Sequence, residues 1–137
     1  MTVAYASDAI ENQSDQEIKG LDATAIKAVI RVFKAWRVSL PHASKLAGVS
    51  ERTWSRMKDE AWSGSLSDDQ RTRASAIVGI YKGLHLYFDD DLADKWVKMP
   101  NIGPVFHGVA PIDYISQGGI PALIDTRNYI DGIRGGM

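Results

Sequence analysis

A chain of 137 residues with 45% hydrophobic and 24% charged side chains has ordinary globular composition, enough for one domain or two very small ones sharing a core. It holds no cysteine, which excludes disulfides and thiolate–metal sites. Nothing approaches the run of about eighteen apolar residues that spans a membrane, and the start lacks a basic-then-apolar signal pattern, so a cytoplasmic protein with no membrane role is expected.

The net charge of −1 conceals an uneven distribution. Residues 1–19 hold Asp8, Glu11, Asp15 and Glu17 against Lys19. Residues 20–62 carry eight Lys/Arg against four acids, and residues 63–137 carry seven against nine. A basic middle segment is a modest electrostatic footprint for nucleic acid, although most charge runs are solvated faces.

Residues 1–19 are polar without a sustained period and suggest a flexible N-terminal arm. Helical patterning is expected from Asp22 as N-cap, with Ile26, Val29, Ile30, Phe33 and Trp36 on one face and Lys27, Arg31, Lys34 and Arg37 opposite. Pro41 suits the first turn of a short second helix that Gly48 ends. Ser50 caps a third, reaching to about Ala61, with Trp54 and Met57 inward.

Ser63-Gly64-Ser65 punctuates the chain and divides a DNA-binding unit, 20–62, from a second domain, 66–137. Ser67 and Gln70 have the spacing of a capping box. They open a helix to about Phe88 with Ala74, Ile77, Val78, Tyr81, Leu84 and Phe88 on one side. Asp89-Asp90-Asp91 favours another helix start, and Pro100 ends that short helix. A loop follows, then a short helix from Pro111 closed by Gly118-Gly119, then a terminal helix from about Ala122 to Arg134. Strand alternation is absent, so the expected fold class is all-α.

The segment from Leu40 to Met57 has the parts of a helix-turn-helix. Small Ala43 and Ser44 stand where two helices cross, Gly48 stands at the turn, and Val49, Trp54 and Met57 seat the second helix. The exposed residues of that helix are the DNA-binding candidates. Arg52 and Arg56 lie four apart on one face and suit guanine, and Ser50, Thr53, Ser55 and Lys58 suit phosphate or base contacts. Glu51 opposes phosphate, and Trp54 is larger than the usual aliphatic seat. The alternative is a three-helix fold that kept the shape and lost the DNA.

Taken with the second half, the chain resembles the Xre/MbcA/ParS-type antitoxins, partners of RES-domain toxins, over residues 26–137. Beside the helix-turn-helix, the motifs are Leu66-Ser67-x-x-Gln70, Asp89-x-x-x-Ala93-x-x-Trp96-x-x-x-Pro100-Asn101, Gly108-x-x-Pro111-x-x-Tyr114-Ile115 and Gly118-Gly119. The departures are Tyr114-Ile115 where the family has a leucine pair, and the loop sequence NIGPVFHGV.

The resemblance implies an N-terminal Xre-like helix-turn-helix bundle followed by a small helical domain, 66–137, that binds the toxin and dimerises. It implies a homodimer that covers the active site of a NAD-consuming toxin and represses its own operon by binding operator DNA. Toxin contact then falls on Tyr129, Ile133, Arg134, Gly135 and Gly136. An amphipathic segment leading to Gly135-Gly136-Met137 is expected to pack on its own chain or reach into a partner. The glycines are thin enough for a dinucleotide pocket, and Arg134 supplies a charge where a diphosphate would sit.

Other constellations are weak. His42, His85 and His107 lack metal-ligand spacing, and Asp89-Asp90-Asp91 lacks the glycine and distal glutamate of a calcium loop. No catalytic triad spacing, phosphate loop or dinucleotide fingerprint is present, so neither a cofactor nor an enzyme is expected. The alternative function is a stand-alone dimeric helix-turn-helix transcriptional regulator without a toxin partner.

Overall fold

A computed structural model describes the backbone of residues 2–134 and the side chains of residues 14–133. Its order is α1 (Thr2–Trp36), α2 (Leu40–Ala47), α3 (Glu51–Met57), α4 (Asp68–Tyr87), α5 (Asp90–Lys95), a 3-10 turn (Trp96–Lys98) and α6 (Pro111–Arg134). The fold is all-α, with no strand among the described residues.

The caps explain most of the boundaries. Ser39 opens α2 by accepting from the His42 N–H, and Gly48 ends it at φ 73°. Ser50 opens α3 in the same way through Thr53 N–H, and α3 is shorter than expected because the chain turns away after Met57. Ser67 and Gln70 form both bonds of the capping box, and Asp89 caps α5 through the Leu92 N–H at 2.9 Å. Gly119, at φ 66° and ψ −149°, breaks α6 into the two expected segments.

Two expectations about the first helix change. α1 begins at Thr2, so the polar stretch expected as a flexible arm continues the helix, and residues 14–21 are exposed throughout. Asp22 is no N-cap but a buried mid-helix residue. Its carboxylate takes Arg71 Nε at 2.9 Å and Nη2 at 3.1 Å, and the Leu66 N–H at 2.9 Å. Those bonds tie α1 to the start of α4. The Arg71 hydrogen bonds hold the Asp22 carboxyl below its ordinary value, against the opposing effect of burial.

One core serves the whole chain. Ile26, Val29, Phe33 and Trp36 of α1 pack with Leu46, Trp54 and Met57, and the same cluster continues into Ile77, Ile80 and Leu84 of α4 and Leu123 and Ile130 of α6. α4 lies between α1 and α6, so it buries Ala76 and Ile80 as well as the single stripe expected of it. Small residues allow the close approach: Arg127 of α6 lies across Gly79 of α4. The apolar stripes of α4 and α6 are thus largely covered within one chain.

Candidate nucleic-acid interface and partner-binding surface

The helix-turn-helix frame is built as its spacing requires. Trp54 is buried with its ring centroid 5.2 Å from that of Phe33, which seats α3 against α1. Ala43 and Ser44 are buried at the crossing, and Ser44 donates to the Pro41 carbonyl at 3.0 Å. On the outer side Arg52, Ser55, Arg56 and Lys58 are exposed, as is Glu51. Ser50 and Thr53 engage each other: the Ser50 hydroxyl accepts from the Thr53 N–H at 3.0 Å and donates to the Thr53 hydroxyl at 2.9 Å. Their first role is to start the helix that presents the two arginines.

Sequence reasoning missed what holds this frame to the second half. Arg73 donates from Nη1 to the Lys45 carbonyl at 3.1 Å and from Nε to Asp69 at 2.8 Å. A cation at the C-terminal end of α2 is favourable there, because the helix dipole places partial negative charge on its last carbonyls. The same side chain fills the space beside Gly48, and its Nη2 approaches Gly119 at the break in α6. Beside it, His42 Nε2 lies 3.0 Å from Asp113 Oδ1 in the first turn of α6. α2 therefore rests on α6, and the helix-turn-helix frame and the C-terminal helices form one scaffold.

At the far end the 101–110 loop is pinned at its neck. Asn101 N–H donates to the Val109 carbonyl at 3.2 Å, and the Gly108 N–H returns to the Asn101 carbonyl at 2.8 Å. His107 and Gly108 both take positive φ to make the turn, and His107 is exposed as expected. Phe106 anchors the loop, only 1% exposed, with edge contacts to Trp96, Tyr114 and Tyr129 at 5.6, 5.5 and 5.3 Å between centroids. Ile102, 95% exposed, is thereby held out into solvent by an ordered loop. Its signal in sequence was an isolated apolar residue between Pro100-Asn101 and Gly103-Pro104, where no periodic element can bury it.

Tyr129, expected to touch a toxin, is half-buried in this aromatic cluster. It also lines an open hollow with Pro104, His107, Tyr114, Asp125 and Asn128. Tyr114 donates to Asp125 at 3.0 Å on the same rim, and burial together with that bond raises its pKa. Ile133 is half-buried. The Arg134 side chain, Gly135 and Gly136 lie outside the described residues.

The acidic turn holds a further arrangement. His85 Nδ1 lies 2.9 Å from Asp90 and Nε2 2.7 Å from Asp94, so one imidazole bridges two carboxylates at the join of α4 and α5. Burial disfavours its charge, but the hydrogen bonds and the field of both aspartates outweigh burial and raise its pKa.

Comparison with known proteins fits this layout. Residues 15–79 match the antitoxin Xre-like helix-turn-helix domain, and residues 83–136 match the antitoxin Xre/MbcA/ParS C-terminal toxin-binding domain. The chain belongs to the Xre/MbcA/ParS antitoxin family. It is similar to the uncharacterised protein y4oB of Sinorhizobium fredii, at 32% identity over 112 residues that cover 81% of this chain and 84% of the relative. As a member of the family it is an antitoxin of a toxin–antitoxin system, with a toxin as partner. The matched regions meet within α4, the helix that the core shares between α1 and α6. No helix among the described residues is long and apolar enough to cross a membrane.

Proposed function

We propose that this antitoxin neutralises a RES-domain, NAD-consuming toxin in the cytoplasm by laying Ile102, Tyr129 and Ile133, with Arg134, Gly135 and Gly136, over the toxin's active-site mouth. It works as a binding protein, without cofactor or catalysis. The observation that carries this reading is the exposure of Ile102 on a loop fixed by Phe106. An apolar side chain held out of the core on an ordered loop is suited to burial in a partner, and here it stands close to the helix that leads into residues 134–137.

As a homodimer the antitoxin also binds operator DNA through Arg52 and Arg56 and represses its own operon. What supports this is the exposure of both arginines on a helix whose start is capped and whose inner face is seated on Phe33. Two symmetric copies would read two half-sites of an operator.

Co-expression with a RES-domain toxin tests the reading. Co-purification of the two chains and recovery of growth are expected. Absence of both would favour the stand-alone transcriptional regulator.

A further inference from the structure

We infer that the N-terminal part of α1 docks on a second copy of this chain, in the groove between α1 and the end of α3, and that this exchange is where the homodimer forms. The groove measures about 440 Å³. Ile26, Ile30 and Trp62 line its apolar part, and Lys27, Arg31 and Lys34 of α1 stand on its rim. The three cations are exposed and make no ion pair among the described residues. Lys58, Asp59 and Glu60 close the end beyond α3, so three of the four lining cations stand on the α1 side and the acids stand opposite them.

The chain itself carries a segment of opposite character. Residues 14–21 of α1 are exposed throughout, with Leu21 70% and Ile18 39% accessible. Residues 1–19 hold four acids against one lysine. At 1.5 Å per residue the helix upstream of Asp22 extends about 30 Å, and its exposed residues 14–21 lack the tertiary packing that supplies most helical stability. Burial of Ile18 and Leu21 against an apolar floor would support it, while Asp15 and Glu17 meet the basic rim.

Geometry selects the occupant. α1 is one continuous helix from Thr2 to Trp36, so its N-terminal part runs along the axis away from the groove on residues 23–34. It cannot fold back onto its own chain. A two-fold pair of chains removes the difficulty, because each overhang then lies along the partner's groove and the two contacts are equivalent. A nucleic-acid backbone would satisfy the lysines but would leave Ile30 and Trp62 against phosphate and sugar.

The inference rests on the reading of the antitoxin as a homodimer and adds the surface that forms it. Charge reversal tests it with the full chain. One variant carries Lys27→Glu, Arg31→Glu and Lys34→Glu, and the other carries Glu11→Lys, Asp15→Lys and Glu17→Lys. Folding is checked by circular dichroism and self-association by native mass spectrometry and sedimentation. Each variant alone should associate at least tenfold more weakly than the wild type, through like-charge repulsion. An equimolar mixture should regain a heterodimer, since both of its contacts pair opposite charges.

A wild-type monomer would overturn the homodimer itself. Reversal variants that remain dimeric, or a mixture that stays monomeric, would overturn the location alone. A rim variant that loses operator binding while staying dimeric would assign the groove to DNA instead.

Discussion

Arg73 lies across Gly48, with its Nε 2.6 Å from the point where a Cβ on that glycine would stand. The turn between the two helices of the helix-turn-helix is therefore closed by a side chain from α4. The glycine contributes twice: it accepts a φ of 73°, and it leaves room for a guanidinium that also bonds the Lys45 carbonyl near the end of α2.

Gly48→Ala is expected to destabilise the protein. A left-handed conformation costs a residue with a Cβ about 1–2 kcal/mol, and displacing Arg73 removes its bond to the Lys45 carbonyl in addition. Thermal denaturation should show a melting point several degrees lower, on the scale of about 2–4 °C per kcal/mol for larger domains and more for small ones. An unchanged melt would mean that Arg73 relocates without loss.

Arg52→Ala combined with Arg56→Ala is expected to weaken operator binding and spare folding, because both side chains are exposed. Each lost bidentate contact to a base costs about 1–3 kcal/mol. Gel shifts at fixed salt measure this directly, and undiminished affinity would remove α3 from the reading role.

Asp22→Ala should separate α1 from the start of α4. The substitution leaves the buried Leu66 N–H without its acceptor, at a cost of about 1–3 kcal/mol, and releases Arg71 from its two bonds. Because the folded pKa is lowered, the wild-type carboxylate stabilises the fold above the ordinary carboxylate pKa, and that contribution is lost as pH falls through the lowered value. Urea titrations should show acid sensitivity in this range diminished in the variant; equal sensitivity in both proteins would trace it to other groups.

His85 gives the opposite dependence. Its pKa is raised by Asp90 and Asp94, so the stabilisation is complete below the ordinary imidazole pKa and fades as pH rises through the raised value. Melting points should decline as pH rises above the ordinary imidazole pKa in the wild type, and the decline should shrink in His85→Gln. A variant with the same slope would show that the bridge does not link α4 to α5 energetically.

Much of this architecture is legible in the sequence because it depends on local chemistry. Ser50, Ser67, Asp89, Gly48 and Gly119 end or open helices through groups a few residues away, and the periodicity of Ile26, Val29, Phe33 and Trp36 marks one buried face. What escapes is the long-range pairing. Asp22 resembles an N-cap by type, yet its partner Arg71 is 49 residues away, and His42 meets Asp113 across 71. Phe106 sits among prolines and glycines with no period to mark it as core. The exposed arginines of α3 could be named from spacing, whereas Ile102 gains meaning only once Phe106 is seen to fix the loop beneath it.

The most direct measurement concerns residues 134–137. They follow Ile133, the last inward position of the helical pattern in the sequence, so their deletion is expected to spare the core and any loss of neutralisation to come from a partner. A charge-assisted contact by Arg134 in a desolvated pocket is worth about 1.5–3 kcal/mol. Cells expressing the toxin would be supplied with the full chain or with one ending at Ile133, and growth and intracellular NAD followed together. The shortened chain should fold and bind operator DNA yet fail to restore growth, with NAD depleted. Full rescue with NAD preserved would contradict inhibition by the tail and place it elsewhere on the C-terminal domain.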